Sequence, residues 1–337
     1  MLKAELSADR FIRNTNKGNN QIYIVNHHNA PNVMIEIGRL RELTFRASGG
    51  GTGEDVDIDI YDTSANCYQQ LIVYSPEDDE IIGGYRFMDG KKAHLSTSGK
   101  IDLSTANYFN FSEKFLDEYL DRTIELGRSW VQPNYQPAVN PRKGIFALDN
   151  IWDGLGAIVV DNPHIDYFFG KVTMYTRFNQ KARDMILYFL QHYFPDEDFL
   201  MRPFNPLPIH SDVTEFESLI QDVDFKDGFR ILNQYVRNHG ESIPPLVNIY
   251  MHLSPTMRTF GTAANPHFGD VEETGIMITI KDIYQEKKER HIKAEYIYYL
   301  KNDTVALLDD DWFLYDLKTE KRTPLDKKII KYLKLDE

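Results

Sequence analysis

One cysteine, Cys67, is all the thiol chemistry that the 337 residues contain. No disulfide can close within the chain, so a reducing compartment is expected. Long apolar runs are also missing, because Asp, Gly or Lys interrupts each one before it reaches a membrane span. The first residues, MLKAELSADRF, lack the apolar core of a secretory signal. The expectation is a cytoplasmic protein whose membrane contact, if any, is peripheral at the inner face. Metal-ligand spacing is absent as well. His27 and His28 are adjacent, the other histidines are scattered, and none form an HxxxH pair. Positive charge is scarce, with 38 Lys and Arg against 51 Asp and Glu and a net charge of −13. That balance argues against a nucleic-acid or anionic-membrane binder, since phosphate-rich partners need basic surface. A local basic patch stays possible.

Apolar material is plentiful. Hydrophobic residues make up 42% and aromatics 13%, enough for a sizeable core. The 20 Tyr and 20 Phe suit either a plain aromatic core or one with an apolar pocket. Residues 21–25 read as a strand. Residues 31–46 have apolar positions near helical spacing, with Pro31 in the first turn. Residues 68–74 and 81–88 are two strands joined by the turn-like PEDDE, hence a hairpin. A helix is predicted over 112–120 with Ser112 as N-cap, a strand over 123–131 and a helix over 144–160. A strand at 166–175 and an amphipathic helix at 179–194 follow. Residues 195–224 are acidic and contain four prolines, which suggests a surface excursion. Residues 225–239 read as helix, 274–280 and 295–300 as strands, and 326–335 as a Lys-rich helix. The order is α+β around a mixed sheet.

Three clusters could carry chemistry. DIDIYDTSANCY brings Asp57, Asp59 and Asp62 just before a strand. Arg86 interrupts an otherwise apolar strand, and Glu125 and Arg128 lie on a strand that should be central. Such charges are costly in a sheet unless paired. Either Arg86 and Glu125 pair with each other or face solvent, or they face a cleft. In a cleft, a buried Glu125 can act as a base, and Arg86 with the acidic cluster can orient an amino acid. Asp149 and Asp153 fall on what reads as the solvated face of the 144–160 helix. Phe168, Phe169 and Trp152 are either plain core or the lining of an acyl tunnel.

GEDVDIDIYDTSANCYQQLIV followed by IIGGYRFM resembles the acyl-homoserine-lactone synthases, which share an acidic DxYD-type segment and a strand carrying an Arg. Here these are Asp59, Tyr61, Asp62 and Arg86. A closer resemblance is to the ornithine- and glycine-lipid N-acyltransferases of the GNAT superfamily, including haemolysin-like members. It rests on ELGRSWVQPNY, IWDGLGAIVV, NPHIDYFFGKVTM, IPPLVNIYMHLSPTMR and HFGDVEETGIMITI, in that order. These blocks reach from about residue 35 to about 285. The resemblance implies a GNAT-like mixed central sheet flanked by helices over 1–285, with 286–337 as a C-terminal extension packed on the same domain.

It also implies a reaction. A 3-hydroxy fatty acyl group would pass from acyl carrier protein to the amine of glycine or ornithine, as the first step of aminolipid synthesis. No cofactor is bound permanently; acyl-phosphopantetheine is the donor, with acyl-CoA as the alternative. Glu125 would take the amine proton. A backbone N–H near Trp130 or Val131 would hold the oxyanion, where strand pairing lost after Val131, signalled by Pro133, would splay the sheet. Arg86, Asp59, Asp62 and Arg128 would shape the acceptor site. The phosphate loop of acetyl-CoA users is reduced here to PAVNPRKGIF. Gly144, at a helix N-terminus, would hold the one phosphate of phosphopantetheine with Arg142 and Lys143. Those two, with Lys171, Arg177, Lys181 and Arg183, would meet an acidic carrier protein. Two rivals are an acyl-CoA-dependent small-molecule N-acetyltransferase and a non-catalytic lipid- or protein-binding member of the fold.

Overall fold

A computed structural model describes residues 2–93, 100–293, 304–308, 311–315 and 322–324. The strands are β1 (Phe11–Asn14), β2 (Gln21–Val25), β3 (Gln69–Ser75), β4 (Glu80–Asp89), β5 (Phe109–Phe111), β6 (Thr123–Val131), β7 (Tyr167–Met174), β8 (Met201–Pro203), β9 (Arg258–Asn265), β10 (Val271–Thr279), β11 (Thr304–Leu308), β12 (Asp311–Tyr315) and β13 (Arg322–Pro324). The helices are α1 (Leu2–Glu5), α2 (Pro31–Ser48), α3 (Ile60–Thr63), α4 (Pro141–Gly144), α5 (Ala147–Asp161), α6 (Gln180–Tyr193), α7 (Val213–Ile220), α8 (Phe225–Asn238), α9 (Pro245–Met251) and α10 (Gln285–Lys288).

Eight strands form the main sheet, in the order β1-β2-β3-β4-β6-β7-β10-β9. Its neighbours run antiparallel except β6 and β7, which are parallel. β3 and β4 are buried almost throughout, which accounts for their near-continuous apolar runs. The pleat divides their side chains between two cores. Leu71 and Val73 join the layer formed with α5, α6, α8 and α9, whereas Ile72 and Tyr74 join the layer under α2. A third cluster packs Phe109, Phe115 and Phe169 around Tyr68 and Met88. α2 starts on Pro31 and stops at Gly49, whose φ of 94° is the left-handed cap that glycine allows.

Several expectations needed correction. The predicted 144–160 helix is α5, which begins at Ala147, and the short α4 precedes it and ends at Gly144. The helix predicted over 112–120 stands, with Ser112 Oγ accepting from Phe115 N at 3.1 Å as its cap, but it is wound as a π-helix over Phe115–Tyr119. The 195–224 stretch is mostly exposed, as a surface excursion would be, but it holds β8 and α7 and anchors Phe216 and Ile220 in the main core. Asp153 is buried too. It accepts from Asn16 N at 3.0 Å and Asn16 Nδ2 at 2.8 Å, and faces His291 Nδ1 at 3.0 Å. Thus residues just past 285 pack on α5, where Arg290 also pairs with Asp149. β11, β12 and β13 form a separate antiparallel sheet that the sequence reading did not foresee. The expected strand at 295–300 and helix at 326–335 lie outside the described residues. Among the described residues no helix is long and apolar enough to cross a membrane.

α5 sits close to the sheet because Gly154 has no side chain. A Cβ there would lie 2.8 Å from Leu71 Cδ1. Gly154→Val should therefore overpack this contact and cost about 1–3 kcal/mol. A denaturant melt that matches wild type would show that α5 has room to shift.

Candidate active site

The main sheet opens in one place. β6 and β7 are paired from Thr123–Tyr167 to Leu126–Gly170 and no further. β6 nevertheless stays bonded to β4 as far as Val131–Gly83. The split therefore begins after Leu126, earlier than the loss of pairing expected after Val131. Its local cause is a bulge. Gly84 faces Trp130 and Arg86 faces Gly127, so β6 carries one residue more than β4. Arg128, inside the bulge, has a φ of 45°, a left-handed conformation costly for a side-chain-bearing residue. Its side chain secures that backbone. Nε and Nη2 donate to Asp57 at 2.7 and 3.1 Å, and the guanidinium lies 4.3 Å from the Phe268 ring centre. Arg128 is thus committed to Asp57, which is fully buried.

The split continues into a cleft of about 550 Å³. Phe45, Phe268, Leu148 and Leu246 supply apolar wall, and Arg86, Ser104, Arg128, Lys171, Thr173 and Glu273 supply polar wall. A smaller cavity of about 40 Å³ adjoins it, sharing Gly127, Ser129, Lys171 and Leu246. Phe168 and Phe169 line this cavity with Tyr85 and Tyr250, whose hydroxyls lie 3.4 Å apart. Trp152 instead lines a separate groove with α9 residues Asn248 and Ile249.

Arg86 lines the cleft and pairs with the acidic segment, not with Glu125. Its Nη1 donates to both Asp59 oxygens at 2.8 Å and to Asp62 at 3.2 Å. Nε is buried without a partner. Asp59 caps α3 and shares a capping box with Asp62. Asp62 also accepts from Arg41 Nη1 at 3.1 Å and Gln70 Nε2 at 2.9 Å. Burial opposes ionisation of Asp62, but Arg41 and Arg86 overcome it and hold its carboxyl well below the usual range. Burial likewise disfavours the charged Arg86, yet Asp62 and Asp59 keep it firmly protonated.

Glu125 is buried beneath the cleft floor and does not line the cleft. It accepts from Ser104 Oγ at 2.5 Å, Tyr68 OH at 3.1 Å, Thr105 Oγ1 at 3.2 Å and Thr105 N at 3.3 Å. Burial pushes its carboxyl up, and the Ser104 bond and Arg86 pull it only part of the way back. Ser104 is the link, since it touches both Glu125 and the cleft.

Ser104 and Glu273 were missed in the sequence. Glu273 had a signal, a carboxylate beside the apolar TGIMITI of β10. Lys171 was expected on a docking surface but is buried and paired with Glu273. Arg183 is buried likewise, paired with Glu272 and Asp184. Arg142, Arg177 and Lys181 are exposed. Lys143 pairs with Asp78. Gly144 ends α4 instead of opening the main helix. Its N–H donates to Asn140 O at 2.8 Å, and a Cβ would lie 2.6 Å from Pro137 N. That N–H is not free for a phosphate. Among the described residues no cluster could hold a metal ion.

The model of the acetyltransferase (GNAT) domain family matches residues 40–141. A glycine N(alpha)-acyltransferase of Phocaeicola vulgatus is 54% identical over 294 residues, covering 87% of this chain and 90% of that protein. One from Bacteroides thetaiotaomicron is 55% identical, covering 87% of each. The chain belongs to the glycine N(alpha)-acyltransferase family. A solved CoA-dependent acyl-homoserine lactone synthase, BjaI, is also similar, at 14% identity and a TM-score of 0.29 over 49% of this chain and 72% of that one. So slight a likeness has no bearing on function. The protein is an N-acyltransferase with a GNAT-type mixed sheet.

Asp62 anchors two arginines of this acyltransferase. Asp62→Asn should cost about 3–5 kcal/mol, because it leaves buried guanidinium charge undercompensated. The sign with pH follows. A depressed folded-state pKa stabilises above the ordinary Asp value, about 3.9, and that contribution fades as pH falls below it. The variant's stability should fall less steeply with acid than wild type's. Equal slopes between pH 5 and 2.5 would show that Asp62 is not the group responsible.

Proposed function

We propose that the protein transfers a long acyl group, such as a 3-hydroxy fatty acyl chain, from a carrier-protein thioester to the amine of glycine. The observation that carries this reading is the split between β6 and β7, with an ion-lined cleft in front and an aromatic cavity behind. The glycine N(alpha)-acyltransferases similar to it support glycine as the acceptor. Product of this kind would be the first intermediate of an aminolipid. Acyl-CoA is the alternative donor.

The pantetheine arm enters the split, and the unpaired edge of β6 is free to bond it there. Arg142, beside the cleft wall formed by Pro137, Ala138 and Gly144, meets the acidic carrier, with exposed Arg177 and Lys181 as further contacts. The acyl chain runs past Phe168 and Phe169. The acceptor's carboxylate lies against the unpartnered Nε of Arg86, which Asp59 and Asp62 hold in place. Arg128 fixes the bulge. The amine nitrogen then attacks the thioester carbon, with a backbone N–H near Trp130 or Val131 on the oxyanion. The C–N bond forms, the C–S bond breaks, and the thiolate leaves to be protonated. The bound ammonium first gives one proton through Ser104 to Glu125, which frees the lone pair for that attack; the second passes from the newly bonded nitrogen to the departing thiolate, and Glu125 returns its proton to solvent.

Incubating the pure protein with 3-hydroxypalmitoyl carrier protein, the CoA thioester, glycine and ornithine tests this. Mass spectrometry should show N-acylglycine, made best from the carrier-protein donor. Folded protein that gives no N-acyl product from either donor would end the reading. A second test concerns Glu125. A base works only when ionised, so the rate should fall as pH drops through a pKa above the ordinary carboxylate range. Glu125→Gln should lose that limb and about 100-fold in kcat. An unchanged profile would exclude Glu125 as the proton acceptor.

A further inference from the structure

Lys171 and Glu273 face each other in the cleft wall, both nearly buried. Nothing in the acyl-transfer scheme so far uses them. We propose that this ion pair is the acceptor's clamp: it opens to receive an amino-acid zwitterion, with Glu273 taking the ammonium and Lys171, beside Arg86, taking the carboxylate. The inference rests on the acyl-transfer reading above.

Three observations support it. Glu273 is the sole carboxylate lining the cleft among the described residues, and so the one anion there that can touch an ammonium. Its bonds to Lys171 and to Asn265 Nδ2, the latter at 3.2 Å, both fall on Oε2, and Oε1 takes part in neither. Lys171 is crowded by cations. Burial disfavours its charge, Glu273 offsets this, and Arg128 and Arg86 repel it. Arg128 is locked to Asp57 and cannot help bind an anion. Arg86 can, through its unpartnered Nε. A carboxylate between Lys171 and that Nε would relieve the repulsion and supply the missing acceptor.

Charge balance favours the exchange. Bringing one charge into a buried site is costly, and breaking a buried pair is costly as well. A zwitterion avoids both, since its two ends replace the pair's mutual contact by two new contacts of the same sign pattern. The clamp therefore selects amines that carry a carboxylate on the adjacent carbon.

The test compares wild type with Glu273→Gln, Lys171→Met and the double variant, which leaves no unpaired buried charge and guards against misfolding. Glycine and glycinamide are the acceptors, with the acyl donor saturating, and calorimetric titration of glycine reads binding without turnover. A lost charged hydrogen bond should raise KM and Kd for glycine about tenfold or more, with donor KM unchanged. Lys171→Met should also erase the preference for glycine over glycinamide. A folded double variant with wild-type KM and Kd for glycine would overturn the clamp, as would defects confined to kcat. The two proposals separate cleanly. Glycine binding that the variants lose, without acyl transfer by any of them, keeps the clamp and sinks the donor chemistry. Acyl transfer with unchanged glycine binding does the reverse.

Discussion

Everything at this site depends on β6 leaving β7 while remaining bonded to β4. A sheet interior has no room for a substrate, because each strand's N–H and C=O groups are occupied by its neighbours. Ending the parallel pairing at Leu126–Gly170 frees one edge of β6 and opens a cleft without exposing the rest of the sheet. The extra residue in the bulge re-aims the strand, and the left-handed Arg128 marks where the turn is made. That conformation persists because Asp57 and Phe268 grip the Arg128 side chain from two sides.

Asp57 belongs to a segment that acts on the site at three points. Asp57 holds Arg128, Asp59 and Asp62 hold Arg86, and Asp62 also reaches Arg41 on α2. The short helix α3, capped by Asp59, sets the spacing between these carboxylates. Each such pair adds little net stability, since desolvation offsets attraction. Their value is geometric. A buried network with its partners in place has few alternative arrangements, so it fixes the β6 bulge and the cleft wall relative to α2. Glu125 works differently. It is not paired with a cation but sealed by Ser104, Tyr68 and Thr105, which leaves its proton affinity high, and of these three Ser104 alone lines the cleft.

The sequence was legible where local pattern decides structure. The β3–β4 hairpin, α2, β6, β7 and α6 all stand within a residue or two of where periodicity placed them. Arg86 and Glu125 drew notice correctly, as charges inside apolar strands. Their partners were not legible, a pairing of Arg86 with Glu125 being one alternative among several. Arg86 pairs with Asp59 and Asp62 instead of Glu125, and Arg128 with Asp57 far upstream. Lys171 and Arg183 read as surface cations because their partners, Glu273 and Glu272, lie on a strand β10 about a hundred residues later. Asp153 read as solvated for the same reason, its partners being Asn16 and His291. Periodicity shows which face a residue occupies on an isolated element. It does not show what a distant segment lays over that face, and for α5 and for Phe216 and Ile220 that covering decided burial.

The charge count around the cleft bears on the acceptor. Arg41, Arg86, Arg128 and Lys171 are four cations, and Asp57, Asp59, Asp62 and Glu273 are four carboxylates, linked by the ion pairs already described. These eight charges balance, and an ionised Glu125, sealed beneath the floor by Ser104, Tyr68 and Thr105, adds one negative charge that no cation meets. A zwitterion such as glycine enters without upsetting that balance. Ornithine brings one further ammonium and needs one further carboxylate. Glu125, beneath the floor, has its oxygens already covered by Ser104, Tyr68 and Thr105. A buried charge without a partner costs several kcal/mol, on the order of 3–5, enough to outweigh the added contacts of a longer side chain. Glycine, the acceptor proposed above, needs no such extra partner.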